Sequence, residues 1–294
     1  MKYSHGNQPI VCIQRHSTCY QGTGKMTPRG VLWHSTGCNN PNISRYVQPL
    51  ETDENCEEML ALLGKNRYGN DWNHKPRQAG MNCFIGKLSD GTVAAVQTMP
   101  WDYAPWGCGS GKKGSLNATH MQFEICEDDL SDPVYFSAVY QEACEVTAYL
   151  CAMFGLDPLG SFSYKGVTVP VITSHDESYD LGLGSNHGDP TKWLKRYGKT
   201  MEDVRQDVAA LMGIAGAEKS SAPDLRTLKS GHQGEDVRAL QILLNGRGCS
   251  CGAADGIFGP KTKKATEKFQ KQQALPTTGV VGEGEWLALL GVTV

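Results

Sequence analysis

Between Ile214 and Asp224 the chain reads IAGAEKSSAPD, a stretch rich in Ala, Ser and Gly with no apolar period. Such a segment buries little and has no means of threading a packed core, so the residues on either side of it must fold around separate cores. The 294 residues therefore divide into a larger domain, 1–213, a linker, 214–224, and a smaller domain, 225–294. Charge divides with them: residues 1–224 carry a formal −6 and residues 225–294 a formal +3. The whole chain, at −3 with a pI near 6.2, lacks the basic footprint that sequence-independent nucleic-acid binding requires.

In the larger domain, strand-like runs (Val31 to His34, Asn82 to Ile85, Thr92 to Gln97, Met121 to Cys126, Val169 to Thr173) alternate with helical ones, which predicts an α/β fold with a mixed central sheet flanked by helices. The clearest helix opens at Asp132-Pro133, a cap followed by Pro at the first helical position, and closes at Gly155. Along it Phe136, Val139, Ala143, Val146, Leu150 and Phe154 form one apolar stripe. A second helix is bounded by Thr200 with Asp203 three residues on and by Gly213, and a third is expected over Asp53 to Leu63. The smaller domain reads as three helices, the first over Asp236 to Leu244, the second over Lys261 to Gln273 and the third short.

No run approaches the roughly 18–20 apolar residues that span a bilayer, and the start, MKYSHGNQPIVCIQRHS, has no apolar core of signal-peptide type. The expectation is cytoplasmic synthesis without a signal peptide and no integral membrane segment. Eleven scattered Cys, an odd number, are expected to be reduced and mostly buried.

His34 ends the apolar run VLWH and His175 ends VPVITSH, while Asp189 lies thirteen residues further on, in the Gly-rich stretch LGLGSNHGDP. Two imidazoles and a carboxylate make up the donor set of a catalytic zinc with one position left open, although a His at a strand end also occurs as an ordinary hydrogen-bonded residue. His187, two residues before Asp189, is a ligand, a positioned acid or a loop residue. His5, His16, His74, His120 and His232 have no matched partners and read as surface or structural. Glu124 sits in the alternating run MQFEIC, facing the same way as Gln122 and Cys126, and a carboxylate there needs either a structural partner or a site. Glu177 reads as a loop residue or a support for a ligand. Cys249-Ser250-Cys251 has no matching second pair and reads as loop packing. Trp33, Trp72, Trp101, Tyr103 and Trp106 either line a groove for sugar or peptide or belong to the rim of the core. Trp106 and Phe84 are the candidates for contacting substrate.

The runs VLWHSTGCNNPNISRYV, MNCFIGKLSDGTVAAVQTMPW, THMQFEICED and SHDESYDLGLGSNHGDPTKW, in this order, resemble zinc-dependent N-acetylmuramoyl-L-alanine amidases of the type-2 amidase family, especially phage and prophage endolysins. The resemblance covers most of residues 28–213. It implies a mixed sheet with one Zn2+ at one end, His34, His175 and Asp189 as ligands, and Glu124 beside the metal-bound water. His187 falls where some relatives carry a catalytic Lys, and the resemblance gives it the role of a protonated oxyanion donor. Asn82 and Gly107 stand where relatives often carry His. In the smaller domain GHQGEDVRALQILLNGRG, DGIFGPKTKKATEKFQKQ and TGVVGEGEW look like a three-helix peptidoglycan-binding module over residues 225–291. Together these imply an amidase that acts on bacterial peptidoglycan after release from the cell. A non-catalytic peptidoglycan-recognition protein and a metallopeptidase cutting within the stem peptide are the alternatives.

Overall fold

The period-two runs of the larger domain pair into one sheet. In this computed structural model, which describes residues 1–3, 7–128, 132–214 and 226–290, the strands are β1 (Ile10–Val11), β2 (Gly30–Ser35), β3 (Cys83–Lys87), β4 (Val93–Gln97), β5 (His120–Ile125), β6 (Ser161–Tyr164), β7 (Val167–Pro170) and β8 (Ile172–Ser174). The central order is β1-β4-β3-β5-β2-β8, parallel except where β3 meets β4, and β6 and β7 form a separate hairpin. The run Val169 to Thr173, expected as one strand, is divided between the two sheets. Pro170 has no N–H to extend a ladder, so Val169 stays in the hairpin while Ile172 joins β2.

The helices of this unit are α1 (Thr18–Gly22), α2 (Cys56–Leu63), α3 (Pro133–Phe154), α4 (His175–Asp180), α5 (Thr191–Arg196) and α6 (Met201–Leu211). The α2 helix starts three residues later than expected, because the Asp53 carboxylate turns back to accept from Leu50 N–H at 2.9 Å and closes a turn first. In α3 the Asp132 side chain accepts from the N–H of Val134 and Tyr135, and Gly155 ends the helix in the left-handed region at φ 63°. Its stripe from Phe136 to Leu150 is buried against Val31, Trp33, Met121, Phe123 and Ile125. Trp33 is completely buried and its indole N–H donates to Thr147 Oγ1 at 3.0 Å, so this ring is core and not groove. Trp101, 8% exposed, belongs to the same core.

His120 opens β5 and is completely buried, and burial pushes its imidazole from 6.5 down to about 4. The folded chain therefore keeps it neutral while the unfolded chain takes up a proton below about pH 6.5. Because the unfolded state binds more protons in that window, stability falls as pH drops from 6.5 to 4, by about 3 kcal/mol in all. Urea titrations at pH 7, 5.5 and 4.5 should show a shallower pH dependence in His120→Gln than in the unchanged chain. Parallel curves would mean that His120 does not carry the effect.

The chain divides into two compact units, Met1–Ser220 and Ser221–Val294. Most of the stretch read as a linker, residues 215–224, lies outside the described residues. The smaller unit is built from α7 (Glu235–Gly246), α8 (Pro260–Gln272) and α9 (Glu283–Leu290) around Val237, Leu240, Leu244, Phe258, Phe269 and Trp286. Two buried glutamines hold its loops in the same manner. Gln241 accepts from Gly256 N–H at 2.8 Å and donates to Asp255 at 2.8 Å, while Gln270 accepts from Gly279 N–H at 2.9 Å and donates to Val280 O at 2.8 Å. Cys249 and Cys251 are buried and hydrogen-bonded to Gln272 and Gln241, which is loop packing. All eleven cysteines are free thiols; nine are buried, Cys56 is half-buried and Cys38 is exposed. Cys83 and Cys126 are completely buried, which keeps both sulfurs from any substrate, and burial pushes both thiols well up.

Candidate metal centre

Parallel strands bring their carboxyl ends to one edge, the usual location of sites in α/β sheets. Here β2 delivers His34, β5 delivers Glu124 and β8 runs directly into α4. His34 and Glu124 are register partners, so their side chains leave the same face of the sheet, opposite Trp33 and Phe123. His175, expected to end a strand, is instead the first residue of α4. Ser174 caps that helix, accepting from Glu177 N–H at 3.3 Å, while the Glu177 carboxylate accepts from Ser174 N–H at 3.2 Å. Arg205 holds both oxygens of Glu177 at 2.7 Å, so Glu177 fixes the start of the helix that aims His175. The Gly-rich loop then returns Asp189 to the strand ends. Its carbonyl accepts from Asp176 N–H at 3.4 Å, and Thr191 donates to the Asp176 carboxylate at 2.7 Å.

The three expected ligands converge. His34 Nδ1 lies 3.2 Å from Asp189 Oδ2 and His175 Nδ1 lies 3.3 Å from Asp189 Oδ1, with all three donor atoms within 4.8 Å of one another. The other nitrogens are also engaged: His34 Nε2 meets Gln122 Oε1 at 2.9 Å and His175 Nε2 meets Ser185 Oγ at 3.1 Å. Each ring thus faces an oxygen at both ends, whereas a neutral imidazole has one N–H to give. Burial lowers His34 from its ordinary range, against the opposing pull of Asp189. Burial would raise Asp189, but the hydrogen bonds to His175 and His34 outweigh it and hold the carboxyl far below the usual range. A ring that gives its one N–H at Nε2 leaves an Nδ1 lone pair facing the ionised carboxylate. A cation among the three groups satisfies that arrangement, so the donor set fits a divalent metal.

Glu124 is half-buried, and its Oε2 is screened from solvent with no hydrogen-bond partner among the described residues. Burial, then the charges of Asp189 and Glu127, push this carboxyl well up. His187 is 62% exposed, stacks flat on His175 at 4.7 Å and keeps its Nδ1 3.9 Å from Asp189. With Ser35, Glu127, Asp189, Lys192 and Arg196 it lines an open pocket of about 320 Å³.

Phe84, expected to contact substrate, is completely buried between Tyr46, stacked at 5.4 Å, and Trp72, edge-on at 5.1 Å. It is the register partner of Glu124 and forms the floor beneath the site, out of reach of any substrate. Trp106 is half-buried, with its ring over Gly22. Asn82 is buried and binds the site's frame, donating to Pro100 O at 2.9 Å and Tyr103 O at 3.0 Å. Sequence reasoning missed Gln122, Asn117 and Ser185. The alternation that placed Gln122 beside Glu124 was a usable signal for the first; nothing in the local sequence marks the other two.

Comparison with known proteins gives the family of the chain. A profile described as N-acetylmuramoyl-L-alanine amidase matches residues 24–192, and one for a peptidoglycan binding domain matches residues 233–289. A Bacillus licheniformis protein named "Probable N-acetylmuramoyl-L-alanine amidase" is 28% identical over 186 residues, covering 60% of this chain and 47% of that protein. A second from the same organism, N-acetylmuramoyl-L-alanine amidase CwlL, is 25% identical over 189 residues, covering 61% of this chain and 47% of that protein. The matched stretch thus spans about half the length of these relatives. Staphylococcus aureus hydrolase AmiA, solved in complex with its ligand, is 20% identical with a TM-score of 0.41, covering 74% of this chain and 85% of that one. With a family profile laid over more than half of its residues, the site included, the chain belongs to the N-acetylmuramoyl-L-alanine amidase family.

Proposed function

We propose that this protein hydrolyses the amide joining N-acetylmuramic acid to L-alanine in bacterial peptidoglycan, with one zinc ion held by His34, His175 and Asp189. The observation that supports it most directly is the convergence of two Nδ1 atoms and one carboxylate, within 4.8 Å, beside the unpartnered Glu124 Oε2. When bound, zinc polarises the scissile carbonyl and makes water nucleophilic near neutral pH, and three protein ligands leave it a free position for this. Glu124 takes the proton of the attacking water and passes it to the alanyl nitrogen as the C–N bond breaks. The products are a muramoyl carboxylate and a stem peptide with a free amino end. His187 donates to the oxygen on which negative charge develops, a role worth about 3–4 kcal/mol for a single donor. Trp106 offers the half-buried ring for substrate contact.

Mass spectrometry of purified peptidoglycan digested with the protein tests this reading. Stem peptides beginning at L-alanine with a free amine, and glycan with bare lactyl groups, are the expected products. Fragments cut inside the stem would make the protein a metallopeptidase, and wall binding without products would make it a recognition protein.

The smaller unit holds the enzyme on the wall, raising the local concentration of substrate. Deleting residues 214–294 should lower binding to sedimented wall at least about tenfold, well within the 10²–10⁴ range of tethering effects, while hydrolysis of a soluble muropeptide is unchanged. Equal sedimentation of the full and shortened chains would remove this role.

A further inference from the structure

Gln122 meets His34, and what fixes Gln122 lies one residue further out. Its Nε2 donates to Asn117 Oδ1 at 2.9 Å, which leaves Oε1 turned toward His34 Nε2 at 2.9 Å. An amide oriented in this way accepts a hydrogen bond, so it selects the ring form that carries its proton on Nε2. Asn117 Oδ1 also accepts from Cys108 N–H at 3.1 Å. The second ring is held by a parallel arm. Ser185 Oγ donates to Cys108 O at 3.1 Å, and with its proton used there it accepts from His175 Nε2 at 3.1 Å. Both arms therefore end on the backbone of Cys108, a completely buried residue.

Gly107 makes room for the first arm. A Cβ there would lie 2.1 Å from Gln122 Oε1 and 2.6 Å from Met81 Cε, so any side chain would push Gln122 off His34.

Resting on the metal reading above, we infer that Asn117, acting through Gln122, and Ser185 are positioning residues. They commit the Nε2–H of His34 and of His175, which turns both Nδ1 lone pairs toward Asp189, and the Cys108 peptide is their common anchor. Among the described residues, every hydrogen bond that the Asn117 side chain makes is through its oxygen, including the one from the Cys108 thiol at 3.2 Å. Asp at this position can therefore do the same work, and Leu cannot.

The test uses the full chain loaded with zinc and reads two quantities besides activity. These are zinc affinity by chelator competition and the Nε2–H signals of ¹⁵N-labelled histidine, assigned with single His→Gln variants. Supporting outcomes in Asn117→Leu are affinity about 10–100-fold weaker and loss of hydrogen-exchange protection at the His34 Nε2–H alone. Asn117→Asp should stay close to the unchanged chain in both. Ser185→Ala, in a partly exposed loop where folding is not at stake, should weaken zinc binding in the same range and unprotect only the His175 Nε2–H. Unchanged affinity and signals in Asn117→Leu and Ser185→Ala, or equal losses at both rings in either, would overturn the inference. So would an Asn117→Asp variant as weak as Asn117→Leu. Failure of the unchanged chain to bind zinc at all would instead overturn the metal reading.

Discussion

Excess EDTA or 1,10-phenanthroline should abolish release of stem peptides from purified wall, and added zinc should restore it. The expected loss is at least about 10³-fold, since polarising a carbonyl and generating the nucleophile each stand for several kcal/mol and every 1.36 kcal/mol is a factor of ten. Neither Glu124 nor His187 can substitute for the ion. Burial pushes Glu124 well up, which supplies a proton carrier but no electrophile, and exposed His187 stands beside the ligands on one side only. Removing the cation also leaves two Nδ1 atoms turned on the Asp189 carboxylate at 3.2 and 3.3 Å, so the chelated protein should melt at lower temperature. Activity that survives chelation, with elemental analysis showing less than about one-tenth of an equivalent of metal left, would remove the ion from the mechanism.

Much of the architecture is legible in the sequence because the signals are local. Asp132-Pro133 and Gly155 bound α3 where the cap, the helix-compatible Pro and the left-handed glycine each act within one turn. The strand carrying His34 announces itself as an apolar run and the one carrying Glu124 by alternation, while their common face follows from the register that pairs them. What is not legible depends on contacts distant in sequence. Phe84 reads as a ring beside the site, and only the arrival of Tyr46 and Trp72 makes it a floor. The division at Pro170 follows from pairing with two different partners, which no local window contains. For the site, His34, His175 and Asp189 stand out by residue type and by family resemblance. The groups that orient them do not: Ser185 in its loop and Asn117 in the short 3-10 turn Leu116–Ala118 are ordinary residues until Cys108 is brought between them, 77 and 9 residues away.

Glu124→Gln should retain zinc and lose turnover by about 10²–10⁴-fold, the usual contribution of a positioned proton carrier. Gln has the same shape as Glu and can still accept a hydrogen bond, but it cannot take a proton from water, so kcat should fall while KM stays near its original value. Stability should move in the opposite direction. A carboxylate whose Oε2 is screened from solvent and has no partner among the described residues is costly to bury, and Asp189 and Glu127 add like charge. Replacing it with a neutral amide should stabilise the metal-free protein by about 1–3 kcal/mol in urea unfolding near pH 7, where the ionised form is the one penalised. A structural carboxylate held by an unseen partner behaves in the reverse way, since its removal destabilises. The two measurements together decide the role of Glu124: lower turnover with higher stability marks a residue kept for chemistry, whereas full turnover, or lower stability in the chelated protein, would assign it to the fold.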